Sequence, residues 1–475
     1  MSTILKKNGG NIALIAVWVL MVVIVSVLSS MDLVAGIGIT VVFVGLALCI
    51  VSLTRYKLGF YIYITVTVFL PMLQRMSGSR QNIGLVMDAL LLCTLFGCII
   101  RRGDASFKRV KFSKEPILIC YYLYIIWLCV EIVNPTGGSL FGWLVFMRVF
   151  MRSMLLIYIG LNLFATMKDV HTFFKYWLFI GTLAALYCCI QQWIGLMPFE
   201  KAYLYKYRDR FGTTMIAGGI RLFSFMADAA VLGIIMACNV LVCLILLTAS
   251  RFTIKLGYKA LLVVSAILQV LALGYTGTRT GYVMLPMGMI VFFLASIQKR
   301  NTILIAIVFT LAAVAILFGP FHGNPTIVRV RTAFLGSENA SVNVRDKNRH
   351  MIQPFIYKHP LGGGLLSTGG NAALVNPGGS MLADFQTDNG YLRLVLESGY
   401  AGMFLIAGVL FFIVQGAVYN YFRAGNELDK LLMISIAAAV FAMCIAMYAQ
   451  DATSLVESAI MLSVYTAITI KVKYI

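Results

Sequence analysis

Charged residues are scarce in this sequence. They make up 12% of its 475 residues, whereas hydrophobic residues make up 61%. Soluble globular domains carry about 25% charged residues. A deficit spread along the whole chain excludes a soluble protein and predicts an all-α polytopic membrane protein. A transmembrane β-barrel would instead show short segments of alternating polarity, and this chain has long apolar runs.

The sequence also lacks paired cysteines and has few acidic residues. Its ten cysteines include no CxxC pair and no Cys/His ligand spacing. Several, such as Cys93 and Cys188, lie inside apolar runs and are interpreted as small packing residues. Only 18 acidic residues oppose 38 lysines and arginines, which gives a formal charge of +20. These basic residues lie in short loops between apolar runs rather than along one soluble face, so nucleic acid is not an expected partner.

The expected number of transmembrane helices is about fourteen (range 12–14). That many apolar intervals reach the length of about 17–25 residues that a span requires. They lie near 12–29, 33–52, 58–73, 83–100, 116–133, 144–164, 173–196, 227–249, 259–275, 281–297, 302–319, 391–418, 431–448 and 455–471. Transmembrane helices 1–11 are therefore expected within 1–319, with outer loops at 197–226 and 275–281. A large outer loop with short helices follows at 320–390, and helices 12–14 lie within 391–475.

The distribution of lysine and arginine predicts the side of each loop. With a cytoplasmic N-terminus, more than half of these residues fall in cytoplasmic intervals, including the basic loop from Arg101 to Lys114. Both termini are then cytoplasmic, as an even number of helices requires. Lys6 and Lys7 precede an apolar run without a small-residue cleavage pattern, which indicates an uncleaved first helix. Topology alone explains the cytoplasmic clusters.

Basic residues predicted to lie outside are exceptions to this rule. They cluster in three places: Lys201 to Arg221, Arg279, and Arg329 to Lys358. Arginine keeps its charge and offers a planar fork of donors that matches phosphate oxygens. An outer arginine cluster therefore suits a lipid-linked phosphate or pyrophosphate, and loop solvation or headgroup contact is the alternative. The set comprises Arg208, Arg210, Arg221, Arg279, Arg329, Arg331, Arg345 and Arg349.

Three arginines lie close to the membrane, Arg279 of this set and two others. Arg279 stands in a very short turn between two apolar runs, Thr276–Gly281. An ionisable residue at that depth is costly and is a functional candidate by default, although a snorkelling anchor is the alternative. Arg148 and Arg152 share one helical face and form either a second arm of the anion site or headgroup contacts.

Asp388 precedes a long apolar run. Its carboxylate would cap the helix or serve as a general base toward an acceptor hydroxyl, and the two roles are compatible. Arg393 and Glu397 follow at i,i+4 spacing and are expected to pair.

Three of the four histidines, His322, His350 and His359, lie in the outer loop. Their spacing fits no metal-site template such as HExxH, so neither a metal nor another cofactor is predicted. His359 precedes Pro360 and a glycine run and is interpreted as shaping a turn. The glycine run follows no strand and is not a P-loop.

Four short motifs stand in order in the second half of the chain. They are Arg345, His359–Gly364, Asp388–Leu392 and Glu397–Gly402. Their order and spacing resemble those of the O-antigen ligase and O-antigen polymerase superfamily of bacterial polysaccharide assembly. Earlier, Thr278–Gly281 resembles the family's Ser-Arg-Gly turn, and Arg221–Phe225 resembles its arginine-led stretch before a helix. The chain departs from the ligase pattern at Asp388, where ligases commonly carry histidine, and after Arg345, where an expected tryptophan is replaced by Arg349 or His350.

The resemblance implies a GT-C-like membrane glycosyltransferase in the bacterial inner membrane, with a periplasmic active site and no metal. Its substrates would be an undecaprenyl-pyrophosphate-linked oligosaccharide donor and a glycan or lipid-linked acceptor, and a chain-length regulator protein is a further possible partner beside membrane lipid. Because of Asp388, a polymerase of repeat units is the first expectation. A ligase that transfers glycan to lipid A core or to protein is the second. A flippase for the same lipid is the alternative from another class, but it would need charges deep in its bundle and related half-repeats.

The resemblance also implies roles for individual residues. Asp388, Arg279 and Arg221 are the expected catalytic residues, with the arginines on pyrophosphate and Asp388 on the acceptor. The expected substrate-binding residues are Arg210, Arg345, Arg208, Arg349, Arg148, Arg152 and His359.

Overall fold

The computed structural model describes most of the chain after residue 32. The described residues are 33–78, 84–101, 110, 112–134, 139–216, 219–320, 323, 325–334, 340–369, 372–375, 382–383, 385 and 387–475. The first predicted span, 12–29, lies outside them. The chain divides into two units, Met1–Ile64 with Asn82–Asp104, and Thr65–Gln81 with Ala105–Ile475.

The smaller unit contains α1 (Leu33–Thr54), the first part of α2 (Tyr56–Ser77) and α3 (Gly84–Ile100). Helices α1 and α3 pack against each other. Their backbones approach closely at Gly97, where an added Cβ would lie 2.5 Å from the carbonyl oxygen of Leu53. Small residues permit such approach between membrane helices, which have little hydrophobic driving force to associate.

The larger unit contains the rest of α2 and all later elements. These are α4 (Pro116–Val130), α5 (Leu140–Leu163), α6 (Met167–Trp193), α7 (Pro198–Lys206), α8 (Arg208–Thr214), β1 (Met215–Ile216), β2 (Gly219–Ile220), α9 (Ala229–Leu247), α10 (Leu256–Thr276), α11 (Arg279–Ser296), α12 (Arg300–Phe318), α13 (Pro325–Phe334), α14 (Ala340–Lys358), α15 (Ala372–Val375), α16 (Gly390–Arg423), α17 (Glu427–Ala446) and α18 (Val456–Val472). The two short strands pair antiparallel.

Among the described residues, nine helices are long and apolar enough to cross a membrane. They are α2, α4 with the turn that follows it, α5, α6, α9, α10, α11, α16 and α17. Each predicted interval from 33–52 onward contains a helix. An all-α polytopic membrane protein is thereby confirmed, while the count of about fourteen spans, the domain boundaries and the GT-C-like class stay predictions.

The core of the larger unit is formed by α9, α17 and α18. Nearly every residue of α9 is buried, and the helix packs against α10, α11 and α17. A helix buried on all sides needs no polar stripe, which explains why its sequence is apolar apart from Asn239. Because α9 begins where α10 ends and α11 starts, three helix ends meet at one end of the bundle.

Candidate functional site

The turn between α10 and α11 is wedged against the start of α9. Gly277 adopts the left-handed conformation, with φ 60°. The Thr278 hydroxyl donates to the carbonyl oxygen of Ala229 over 2.9 Å. An added Cβ at Gly233 would lie 2.8 Å from Cβ of Thr278, so the glycine is needed for this approach. The wedge places Arg279 at the first residue of α11.

Arg221 is bonded to the same turn. Its Nε donates to the carbonyl oxygen of Thr276 and its Nη2 donates to the hydroxyl of Thr278, each over 3.2 Å. Burial lowers the pKa of Arg221, Asp228 opposes this effect, and Arg329 adds to it. The guanidinium still keeps its charge near neutral pH, because the pKa of arginine starts above about 12.

Three arginines act electrostatically on the hydroxyl of Tyr282. This hydroxyl donates to the carbonyl oxygen of Gly274 over 2.9 Å and lies within electrostatic range of Arg221, Arg279 and Arg329. Nη2 of Arg329 is buried and has no hydrogen-bond partner within the described part of the chain. Gathered positive charges repel one another, and a buried donor without an acceptor is costly. An anion would relieve both costs. We call Arg221, Arg279 and Arg329 the arginine cluster.

Arg75 holds the segment that carries Arg221. It is buried, and its Nη1 and Nη2 donate to the carbonyl oxygens of Met226 and Ser224 over 2.7 and 2.8 Å. Its guanidinium also lies 4.5 Å from the ring centre of Phe223. Ser224 has a positive φ of 54°, so the bonds from Arg75 stabilise an uncommon backbone conformation.

Glu457 holds the same segment from the other side. Its Oε1 accepts from the backbone N–H of Ala227 over 3.0 Å. The next residue, Asp228, caps α9 by accepting from the N–H of Val231 over 2.9 Å. Because Glu457 lies in the first turn of α18, this bond joins the ends of α9 and α18 and brings the start of α18 to the arginine cluster's end of the bundle.

The helix cap predicted at Asp388 is provided by its neighbour. Asn389 is the N-cap of α16, and its Oδ1 accepts from the N–H of Leu392 over 3.0 Å. The capping role considered for Asp388 is therefore wrong. The Asp388 carboxylate is exposed at this end of α16.

Residues just after Asp388 are tied to the turn between α17 and α18. The N–H of Gly390 donates to the carbonyl oxygen of Met447 over 2.8 Å. Arg393 pairs with Glu397 at 3.0 Å, as the i,i+4 spacing predicted, and with Asp451 at 2.8 Å. Since α18 also reaches Ala227, Asp388 lies at the same end of the larger unit as the arginine cluster.

The motifs His359–Gly364 and Glu397–Gly402 pack directly against each other. Gly399 interrupts α16 with φ 66°, and an added Cβ there would lie 2.4 Å from the carbonyl oxygen of Pro360. The N–H of Gly363 donates to the carbonyl oxygen of Leu396 over 2.7 Å. The ring of His359 lies 4.5 Å from that of Phe355. These contacts agree with a turn-shaping role for His359 and show why glycine is required at 399.

The remaining predicted residues are dispersed. Arg349 is exposed, and its Nη1 donates to the hydroxyl of Tyr448 over 3.2 Å. Arg210 is exposed on α8, Arg148 is exposed on α5, and Arg152 is half-buried one turn later. Arg208 lies in α8 and Arg345 lies in α14, but their side chains fall outside the described part of the structure.

Arg331 is a correction to the outer arginine set. It is buried, its Nε donates to the carbonyl oxygen of Ile316 over 3.0 Å, and its Nη2 donates to that of Gly319. These carbonyls belong to the C-terminal end of α12, where intrahelical donors are missing. Arg331 therefore caps a helix and is not available to a ligand.

The described residues contain no group of three or more His, Cys, Asp or Glu side chains that could hold a metal ion. Residues 264–407 match the family model for O-antigen ligase. The match covers less than half of the chain and supports its resemblance to the O-antigen ligase superfamily. The matched region runs from α10 into α16 and includes Arg279, Arg329 and Asp388, while Arg221 precedes it. No curated protein matches the chain. This partial match supports an enzymatic activity in general terms.

Proposed function

We propose that the protein transfers or polymerises undecaprenyl-pyrophosphate-linked oligosaccharide repeat units at the periplasmic face of the bacterial inner membrane. The observation that carries this proposal is the arginine cluster, in which Nη2 of Arg329 has no hydrogen-bond partner among the described residues. Arg221 and Arg329 come from segments far apart in sequence, and the cluster forms at the helix ends. Pyrophosphate offers several anionic oxygens, which match a set of guanidinium donors better than a single carboxylate does.

The chemistry follows from these groups. The acceptor hydroxyl oxygen forms a bond to the anomeric carbon of the donor, and the bond from that carbon to the pyrophosphate oxygen breaks. The electron pair leaves with undecaprenyl pyrophosphate, and the arginine cluster stabilises the added negative charge. The hydroxyl proton passes to Asp388, the general base. Arginines thus take the part that a metal ion plays in other transferases.

A ligase remains the second candidate, because the matching family model is described as O-antigen ligase. A ligase would use the same donor but would transfer a finished glycan to lipid A core or to protein. Asp388, at the position where ligases of this family commonly carry histidine, favours the polymerase.

The test uses the purified full chain in liposomes with a lipid-linked oligosaccharide repeat unit. We expect a ladder of glycan lengths on the carrier lipid and release of undecaprenyl pyrophosphate. Arg279→Ala and Asp388→Asn should abolish the ladder. Arg251→Ala, which removes an exposed arginine beyond the other end of α9, should keep it.

Other outcomes separate the alternatives. Transfer of one glycan length to added lipid A core would identify a ligase. Movement of the lipid across the bilayer with no change in glycan length would identify a transporter. Wild-type ladders from both Arg279→Ala and Asp388→Asn would overturn the assigned site.

A further inference from the structure

A cavity lies in the larger unit, away from the arginine cluster. Its volume is about 470 Å³. It is formed by the start of α4, the last turns of α16 and the residues after α18. Its lining includes Glu115, Phe412, Tyr419, Arg423, Lys473 and Tyr474.

This cavity is at the opposite end of the bundle from the candidate site. Helix α16 begins at Gly390, beside Met447, and ends at Arg423 after 34 residues. The part of α16 after the interruption at Gly399 runs from Tyr400 to Arg423, and at about 1.5 Å per residue it alone spans roughly 36 Å. Helix α18 likewise begins at the end where Glu457 binds Ala227 and finishes at the cavity. A ligand here would not contact the arginine cluster.

The cavity carries one uncompensated positive charge. Lys473 forms an ion pair with Glu115 at 2.6 Å, and the Tyr474 hydroxyl donates to the other oxygen of that carboxylate over 2.7 Å. Both Glu115 oxygens are therefore occupied. Arg423 forms no ion pair and no hydrogen bond with any residue that the structure describes. Two cations and one anion line the cavity.

The cavity also lies at the level of a membrane–water boundary. Beside Arg423, Tyr419 is 54% exposed and Phe422 is 66% exposed. Aromatic and basic residues at the end of an apolar helix are typical of the membrane interface. The charge distribution of the loops predicts that this end faces the cytoplasm. Basic pockets between transmembrane helices on that side bind anionic lipid headgroups.

We propose that this cavity binds the headgroup of an anionic phospholipid. The phosphate accepts hydrogen bonds from Arg423 and from the remaining donors of Lys473, and the acyl chains lie along the exposed apolar face of α16, where Phe411 is 62% exposed. The bound lipid bridges α16 and α18, and α18 is tied to α4 by the Lys473–Glu115 pair. This site is independent of the proposed transferase function.

The test compares lipids by native mass spectrometry of the purified full chain in neutral detergent. Phosphatidylglycerol and phosphatidylcholine with the same acyl chains are added at equal concentration. We expect the wild type to retain phosphatidylglycerol preferentially and Arg423→Gln to lose that retention by about five-fold. Arg423→Lys should keep most of it. Arg251→Gln, which removes a matched exposed charge from the same end, should keep all of it.

A second variant and a second readout keep the result decisive. Gln415→Trp fills the cavity from an exposed position without a change in charge, and it should also lower retention. Phosphatidylglycerol should raise the thermal midpoint of the wild type but not that of Arg423→Gln. Equal retention of the two lipids, or unchanged retention in both variants, would overturn the proposal. So would an equal thermal shift from inorganic phosphate alone, which would indicate a soluble anion.

Discussion

Two groups of arginines at the same end of the bundle differ in what surrounds them. Arg75 and Arg331 donate to backbone carbonyls of their own chain, and Arg393 pairs with two carboxylates. Arg221, Arg279 and Arg329 instead all lie within electrostatic range of one hydroxyl, that of Tyr282. A buried nitrogen without an acceptor among the described residues occurs in both groups, at Nε of Arg75 and at Nη2 of Arg329. The first group completes the fold. The second group concentrates positive charge, which favours an anionic ligand.

The largest expected effect is on activity at the arginine cluster. Arg279→Ala removes a charge that stabilises the leaving pyrophosphate, so the transfer rate should fall by about 10²–10³. The thermal midpoint should change less than the rate does, because the removed charge acts mainly on the leaving group. Initial rates with a lipid-linked donor, together with a thermal scan, measure both quantities. Loss of folding rather than of activity would place Arg279 in the first group.

Arg75→Ala should lower the stability of the protein rather than its specific activity. It removes the Arg75 donor from the carbonyl oxygen of Met226 and leaves that of Ser224 with only the long 3.5 Å bond from Nε2 of Gln191. A buried group left unsatisfied costs about 1–3 kcal/mol. We therefore expect a clear loss of thermal stability in detergent, with activity falling only through loss of folded protein. Activity per folded molecule, at a temperature below the new midpoint, separates the two causes. A large loss of specific activity with normal stability would contradict the assignment.

Arg329→Gln tests whether charge repulsion within the arginine cluster lowers the stability of the protein. Without an anion, the variant should be at least as stable as the wild type, because one repelling charge is removed. Inorganic pyrophosphate should raise the wild-type thermal midpoint and should raise that of the variant less, since a ligand at a given concentration stabilises the folded state more when it binds more tightly. Equal shifts in both proteins would mean that Arg329 does not contact the anion.

The smallest expected effects compare Asp388 with Asn389. Asn389→Ala removes the cap of α16 and should lower stability by about 1 kcal/mol. Asp388→Ala should change stability by less than about 0.5 kcal/mol, as at an exposed site without packing, but it should abolish transfer. Denaturation curves and rate measurements on both variants give the comparison. A stability loss from Asp388→Ala as large as that from Asn389→Ala would show that the exposed carboxylate has a structural role.

Helix positions followed from the sequence because a lipid-facing backbone must satisfy its own hydrogen bonds, so long apolar runs form helices. The short turn at Arg279 was also predicted, because it lies between two such apolar runs. The different environments of Arg331 and Arg329 could not be predicted from the sequence, although the two residues are only two positions apart. One points at a helix end and the other does not, and nothing in the order of residues specifies which carbonyl a guanidinium meets. The supporting roles of Arg75 and Glu457 depend on contacts between distant segments and left no local signal.

The cap of α16 shows a second limit. Asp388 and Asn389 are both good capping residues, and helix boundaries are uncertain by one or two residues. Only the backbone conformation selects Asn389. The outcome matters for function, because it leaves the Asp388 carboxylate exposed at the end of the bundle where the arginine cluster lies.

The most direct test of the arginine cluster is binding of undecaprenyl pyrophosphate to the purified protein, measured by titration in detergent. The wild type should bind it, and Arg221→Ala and Arg279→Ala should each weaken binding by about ten-fold or more, the effect of losing one charge-assisted hydrogen bond. Arg251→Ala should bind as the wild type does. Equal affinity in all four proteins would contradict the claim that these arginines form the anion site.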